Sequence, residues 1–172
     1  MGKTKGERAQ TTAEFVLVVP FLLLLFFLIV DFGWLLKNWI VVTNTAREAT
    51  RCAIVDSCVL DGLTVTPEEL AQSRIASGGA GGGGTPQVTM HYVEQNGTAG
   101  ANAGDSFVLC VRANNRWISP VVPFLAMISG GAGGALDDNG LPLAAREEMI
   151  FERTPSFPVS PGPATGCPAP GP

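Results

Sequence analysis

The stretch from Glu14 to Leu36 constrains this chain more than any other. No charged residue occurs from Phe15 to Val30; Asp31 follows, and Phe32 to Leu36 is again uncharged. As a helix, Phe15 to Leu36 rises roughly 33 Å at about 1.5 Å per residue, enough to cross a hydrocarbon core of about 30 Å. The expectation is one membrane span, with the lipid bilayer as first partner. Glu14 stands at the entrance of the run and Asp31 lies inside it. A plain anchor needs neither acid. A carboxylate in a membrane helix costs roughly 2.5–3.5 kcal/mol on insertion scales, so it calls for a partner or a purpose.

The flanks orient the span. Lys3, Lys5 and Arg8 against Glu7 precede it. That bias places the N-terminus in the cytoplasm and everything after Leu36 outside, although Lys37 runs against it. Trp34 and Trp39 flank the expected outer boundary, where indole rings are favoured. The residues after Val30 read Asp31-Phe32-Gly33-Trp34-Leu35-Leu36-Lys37 and hold no small-x-small cleavage site. The run also exceeds a secretory h-region of about 7–15 residues. A retained single-pass anchor of the cytoplasmic membrane is expected. A net charge of −4 without a basic patch argues against a nucleic-acid partner.

All four cysteines, Cys52, Cys58, Cys110 and Cys167, fall on the expected outer side, where disulfides persist. Four cysteines allow three pairings, and the sequence does not choose among them. The expectation adopted here joins Cys52 to Cys58 and Cys110 to Cys167. The first bridge requires a helix end between its cysteines, because i and i+6 face different ways on a continuous helix. With no C-x-x-C, and with His91 remote from the cysteines, no metal site is expected.

Helical character continues past Leu36. Asn38 to Ile54 holds no Gly or Pro, and Ala46, Ala49 or Thr50, and Ala53 recur at helical spacing. One helix is read from about Thr11 to about Val55, with Pro20 tolerated because it lies in a membrane segment. Thr66-Pro67-Glu68-Glu69 opens a second helix running to about Ala76, with Thr66 as cap, Pro67 at the first position and Glu69 completing a capping box. Ser77 to Thr85 reads as a flexible loop. Strands are expected at Val88–Glu94, Phe107–Ala113 and Leu143–Arg153, with turn chemistry at Asn96-Gly97 and Asn139-Gly140. His91 is expected half-exposed on its strand. Trp117 to Leu136 carries no charge and invites reading as a second span. Its strongly apolar part, Val121 to Ile128, is short and contains Pro123, which favours core, loop or interfacial structure.

The fold class is therefore α+β. A basic leader (1–9) precedes a transmembrane and extended helix (10–56). An extracytoplasmic domain (57–153) follows, with a short helix and an antiparallel sheet of about three strands. The last segment (154–172), rich in proline, is expected to be extended and poorly ordered unless Cys167 is tethered. No G-x-S-x-G, H-E-x-x-H or P-loop occurs. The adjacent acids Glu68-Glu69 and Asp137-Asp138 sit in cap or turn settings, where solvated roles dominate. No catalytic residue and no cofactor is expected.

Several of these pieces together resemble the TadE-like minor pilins, or pseudopilins, of tight-adherence (Flp-type) pilus systems, which are related to type IV pili. The carrying residues are Glu14-Phe15, the apolar run with Pro20, Val30-Asp31-Phe32-Gly33, and Thr45-Ala46-Arg47-Glu48-Ala49-Thr50-Arg51-Cys52-Ala53. The resemblance covers some 45 residues continuously, and the outer region follows more loosely. It implies a membrane-anchored, non-enzymatic protein that packs its N-terminal helix with other pilins. It further implies a prepilin peptidase and the pilus assembly machinery as partners. By the prepilin layout, cleavage between Ala9 and Gln10 makes Glu14 the fifth mature residue, next to Phe15. A neighbour's Glu14 then neutralises the new amine on Gln10 and sets axial register. The chain departs from the family in having Ala9 where Gly is usual; the alternative cleavage, between Gly6 and Glu7, puts Glu14 eighth. Without assembly, Glu14 is simply an acid in a first helical turn, worth about 0.3–1 kcal/mol against the helix dipole. Asp31 is either an acid reaching headgroups or water, or a polar contact to a neighbouring helix. The rival to the pilin reading is an unprocessed single-pass protein with an outer binding or regulatory domain.

Overall fold

The computed structural model describes residues 5–80, 85–95, 97, 100–119, 121, 141–163 and 167. Helix α1 runs from Lys5 to Ile54, with Pro20 inside it. It begins earlier than expected and ends one residue sooner. At about 1.5 Å per residue it is roughly 75 Å long. Its end is built from several parts. Asp56 adopts a left-handed φ of 54°. The amides of Asp56 and Ser57 donate back to the carbonyls of Ala53 and Cys52, both at 3.1 Å, and the Glu152 amide donates to the Ile54 carbonyl at 3.2 Å. Carbonyls that a helix terminus leaves open are thereby satisfied. The helix stops between Cys52 and Cys58, which form a disulfide with Cα atoms 4.9 Å apart.

A small hairpin follows, β1 (Val59–Leu60) and β2 (Leu63–Thr64). Its turn residues Asp61 and Gly62 have φ of 50° and 83°, both positive, as a type I′ turn requires. The Asp-Gly dipeptide was a legible hairpin mark that the sequence reading passed over. Helix α2 (Pro67–Gly78) carries the expected capping box and is closed by Gly79 at φ 68°. Ser77 and Gly78, expected in a loop, belong to the helix. A Cβ on Gly78 would lie 2.6 Å from the Val41 side chain, so glycine lets the end of α2 abut α1.

Strands β3 (Gln87–Val93), β4 (Ser106–Asn115), β5 (Leu141–Ile150) and β6 (Ser160–Pro161) form one sheet in the order β5-β4-β3-β6. The pairs β3–β4 and β4–β5 are antiparallel, with Thr89 opposite Cys110 and Phe107 opposite Met149. Strand β5 starts two residues before the expected Leu143 and ends before the expected Arg153. Phe151 instead turns into the core beside Phe107, ring centroids 5.1 Å apart. Helices α1 and α2 pack on the sheet. Phe107, Leu109, Val111 and Ala113 meet Val42, Ala46, Ala49, Ala53, Leu70 and Ile75 in one core. The small residues of α1 let its axis approach the strands closely. Arg47 pairs with Glu147 on β5, and Glu48 with Arg74 on α2, each at 3.0 Å. These two exposed pairs point to opposite sides of the alanine seam. Each contributes only about 0–1 kcal/mol, but together they match the rotation of α1 to the surface beneath it.

Residues 154–163 and Cys167 of the tail lie against the sheet, the case the sequence reading set apart as a tethered Cys167. Asp56 Oδ1 accepts from the amide and hydroxyl of Ser156, at 3.0 and 2.8 Å. Phe157 packs edge-on to Phe107. Strand β6 adds to β3 in parallel, pairing Ser160 with His91, and the Gly162 amide donates to the Tyr92 carbonyl at 3.0 Å. Cys167 is bonded to Cys110. The tether that the sequence reading named as its exception is thus present. It also explains His91, which is buried at 3 % exposure rather than half-exposed. The tail covers that side of the sheet, and His91 Nε2–H donates to the Pro163 carbonyl at 3.1 Å. Asn96, Asn139-Gly140 and most of the uncharged stretch Trp117–Leu136 lie outside the described residues.

Candidate assembly helix and its joint with the outer domain

A helix this long has two different surfaces. From Thr12 to Val30 almost every side chain is exposed; Phe15 is 67 % and Leu17 78 % open. From Asp31 onward a buried stripe appears: Asp31, Asn38, Val42, Thr45, Ala46, Ala49, Thr50 and Ala53. These positions recur every three or four residues, or seven, along one face. Among the described residues, the domain that follows therefore grips α1 only from Asp31. Below it a bare apolar rod projects, long and hydrophobic enough to cross a membrane.

Asp31 makes the lowest grip. It is 4 % exposed. Its Oδ1 accepts from the amides of Ile118 at 3.3 Å and Ser119 at 3.1 Å, and its Oδ2 accepts from the Ser119 hydroxyl. The segment leaving β4 is thus tied to α1 by a carboxylate with both oxygens engaged inside the chain. Charge-assisted bonds of this kind are roughly twice as strong as neutral ones. They answer the need for a partner that the sequence raised, and the partner is this chain's own Ile118–Ser119 segment.

Two helical turns further, the Asn38 amide donates to Asn115 Oδ1 at 2.5 Å, and both residues are fully buried. Sequence reading missed this contact. The signal was there: carrying the Ala46–Ala49–Ala53 spacing back toward the N-terminus lands on Val42, Asn38 and Asp31. A polar residue on a stripe that faces the chain's own domain is a candidate for an intramolecular bond. Nothing in the spacing identifies Asn115 or Ser119 as the partner. Close to this level Lys37 donates to the Gly78 carbonyl at 2.9 Å, with its ammonium 4.4 Å from the centre of the Trp34 ring.

The remaining sequence-derived candidates fall elsewhere. Glu14 and Phe15 lie on the exposed rod, away from the outer domain. Gly6, Glu7, Ala9 and Gln10 are within the backbone span of α1, and their side chains lie outside the described residues. The cysteines are brought together in two pairs, Cys52–Cys58 and Cys110–Cys167. The arrangement offers a surface for helix packing and a domain locked onto one end of it.

No curated protein and no solved structure matches this chain. Residues 9–51 match the family model described as TadE-like protein. That stretch contains the rod, Asp31 and most of the alanine seam, so over residues 9–51 the chain is similar to the TadE-like proteins, and the helix matched is long and apolar enough to cross a membrane.

Proposed function

We propose that this protein is a minor pilin or pseudopilin that takes part in tight-adherence pilus assembly through the exposed half of α1. The observation that carries the reading is the division of that helix. From Asp31 upward it is the spine of a disulfide-braced domain, and below Asp31 it is an apolar rod that the described residues of that domain leave uncovered. In the membrane the rod is covered by lipid. In a filament it is covered by the rods of other pilins, so transfer from bilayer to filament exchanges one apolar surrounding for another. Van der Waals packing and polar pairing then decide the association. Glu14, at the lower end of the rod, supplies the polar pairing; its counterpart is the amine released on Gln10 by a prepilin peptidase cutting after Ala9. The N-terminus lies in the cytoplasm and the domain outside.

Two measurements test this. Mass spectrometry of the membrane-extracted chain should find Gln10 as its first residue; Glu7 identifies the alternative cut, and an intact Met1 refutes processing. Glu14→Ala should abolish co-purification with other pilins while leaving membrane insertion intact. Normal pili with undiminished co-purification remove Glu14 from the mechanism.

A further inference from the structure

The grip on α1 changes character along its length. At the alanine seam the contact is apolar; below Val41, Leu35 alone among the described residues of α1 packs on that core. There the strap Asn115–Ser119 is held by polar bonds, the Asn38 amide on Asn115 and three donors on Asp31. Ile118 adds little burial, being 54 % exposed. The same place carries a deficit. Four buried side-chain polar atoms among the described residues lack a hydrogen-bond partner, and three of them are here: Asn38 Oδ1, Asn115 Nδ2 and Trp117 Nε1. Folded proteins leave few such groups, so three in one joint call for an explanation.

Closed, the strap gains the Asp31 bonds and forfeits three others. The surroundings decide which side of that balance wins. An unpaired donor or acceptor costs stability relative to a state in which it is paired. In water an open strap is such a state, because every group released is hydrated. In hydrocarbon it is not, because Asp31 and Ser119 would lose their partners and find no others. The next step rests on the membrane-anchored reading of α1. From Glu14 to Asp31 the helix rises about 26 Å, less than the roughly 30 Å of a hydrocarbon core. With Glu14 at the inner boundary, Asp31 and the end of the strap tied to it lie just inside the outer one. Asn38, about 10 Å higher, lies just beyond it.

We propose that the Asn115–Ser119 strap is a hinge gated by the bilayer. It is held shut while the Asp31 level lies in hydrocarbon. It is released when that level meets water, as it does once the rod is drawn out of the membrane. Opening frees α1 between Asp31 and Asn38 from the domain, while the seam from Val42 onward stays packed. Rod and domain can then change their angle without unfolding either.

Bilayer thickness moves the outer boundary past the joint without altering the chain. The full chain is placed in nanodiscs of dilauroyl and of dierucoyl phosphatidylcholine, and hydrogen exchange of the Ser119 amide is followed. Exchange should be at least tenfold faster in the thin bilayer, with the Leu109 amide of the central strand β4 unchanged. Two variants then address the orphaned groups. Trp117→Phe removes the indole N–H, and Asn38→Leu combined with Asn115→Leu removes the other two. Each should slow Ser119 exchange in the thin bilayer about tenfold, the factor of one unpaired group relieved. That sign is opposite to the one expected when a favourable contact is lost. Equal exchange in the two bilayers overturns the gate and leaves the anchor reading standing. Unchanged or faster exchange in either variant also overturns it, because the joint is then a fixed brace with no deficit to relieve. A chain that fails to co-elute with nanodiscs of either lipid refutes the membrane reading, and the gate falls with it.

Discussion

Replacing Asp31 by alanine should release the Trp117–Ser119 segment without unfolding the domain. The carboxylate accepts three bonds, two of them from the buried amide and hydroxyl of Ser119. Alanine leaves both donors without their acceptor, at about 1–3 kcal/mol each. The Ile118 amide is only part-buried and turns to water at little cost. A loss of about 3–4 kcal/mol is expected, and the chain can limit it by letting this segment open locally. Since each 1.4 kcal/mol is about tenfold in an equilibrium constant, the opening equilibrium should rise by several hundredfold. Asp31→Asn keeps one carbonyl oxygen for the two amides and loses the charge. It should cost about 1–2 kcal/mol. Hydrogen exchange of the Ser119 amide in nanodiscs reads this directly, and tryptic cleavage after the exposed Arg116 gives a second reading. Exchange that changes less than about threefold in Asp31→Ala, under 1 kcal/mol, with the remainder of the domain equally protected, refutes the joint.

Other perturbations separate the parts of the domain. The bridge Cys110–Cys167 spans 57 residues and Cys52–Cys58 spans 6. By loop-closure entropy, losing the first costs about 4 kcal/mol and losing the second about 2 kcal/mol. Urea unfolding of the paired Cys→Ala variants in detergent should show that order, and the reverse order contradicts the topology. Gly162→Ala places a Cβ 2.3 Å from the His91 ring. The tail must then lift, and reductant should reach Cys110–Cys167 markedly faster; an unchanged reduction rate argues against a seated tail. Asn38→Ala leaves Asn115 buried with no acceptor or donor across from it and should cost about 2–3 kcal/mol. The double variant Asn38→Leu, Asn115→Leu removes both polar groups and should be milder in the same unfolding assay.

The tail and the joint give the domain a consistent logic. A two-residue strand covers the outer edge of β3 and is held at both ends, by Ser156 on Asp56 and by Cys167 on Cys110. An open edge of that strand is a template for pairing with another chain. The tail removes that template on the β3 side of the sheet.

Much of this architecture was readable because it is local. The rod follows from an uncharged run of sufficient length. The capping box of α2 follows from four consecutive residues, and β3 and β4 from β-forming runs displaced by one or two residues at their ends. The helix end between Cys52 and Cys58 was implied by the pairing adopted for them. The hairpin at Asp61-Gly62 was equally local and was passed over.

What the amino-acid order determined by itself is the inventory of elements and the apolar character of the rod, since periodicity, capping and span length depend on neighbours in the chain. Which residues met the inward stripe of α1, at Asp31 and at Asn38, was decided only by tertiary structure. Asp31 meets Ser119, and Asn38 meets Asn115, across sequence separations of 88 and 77. His91 became buried because a distant tail crosses its strand. Such contacts depend on the rotation of a long helix against a sheet and on where a disulfide brings the chain back. No local pattern encodes either.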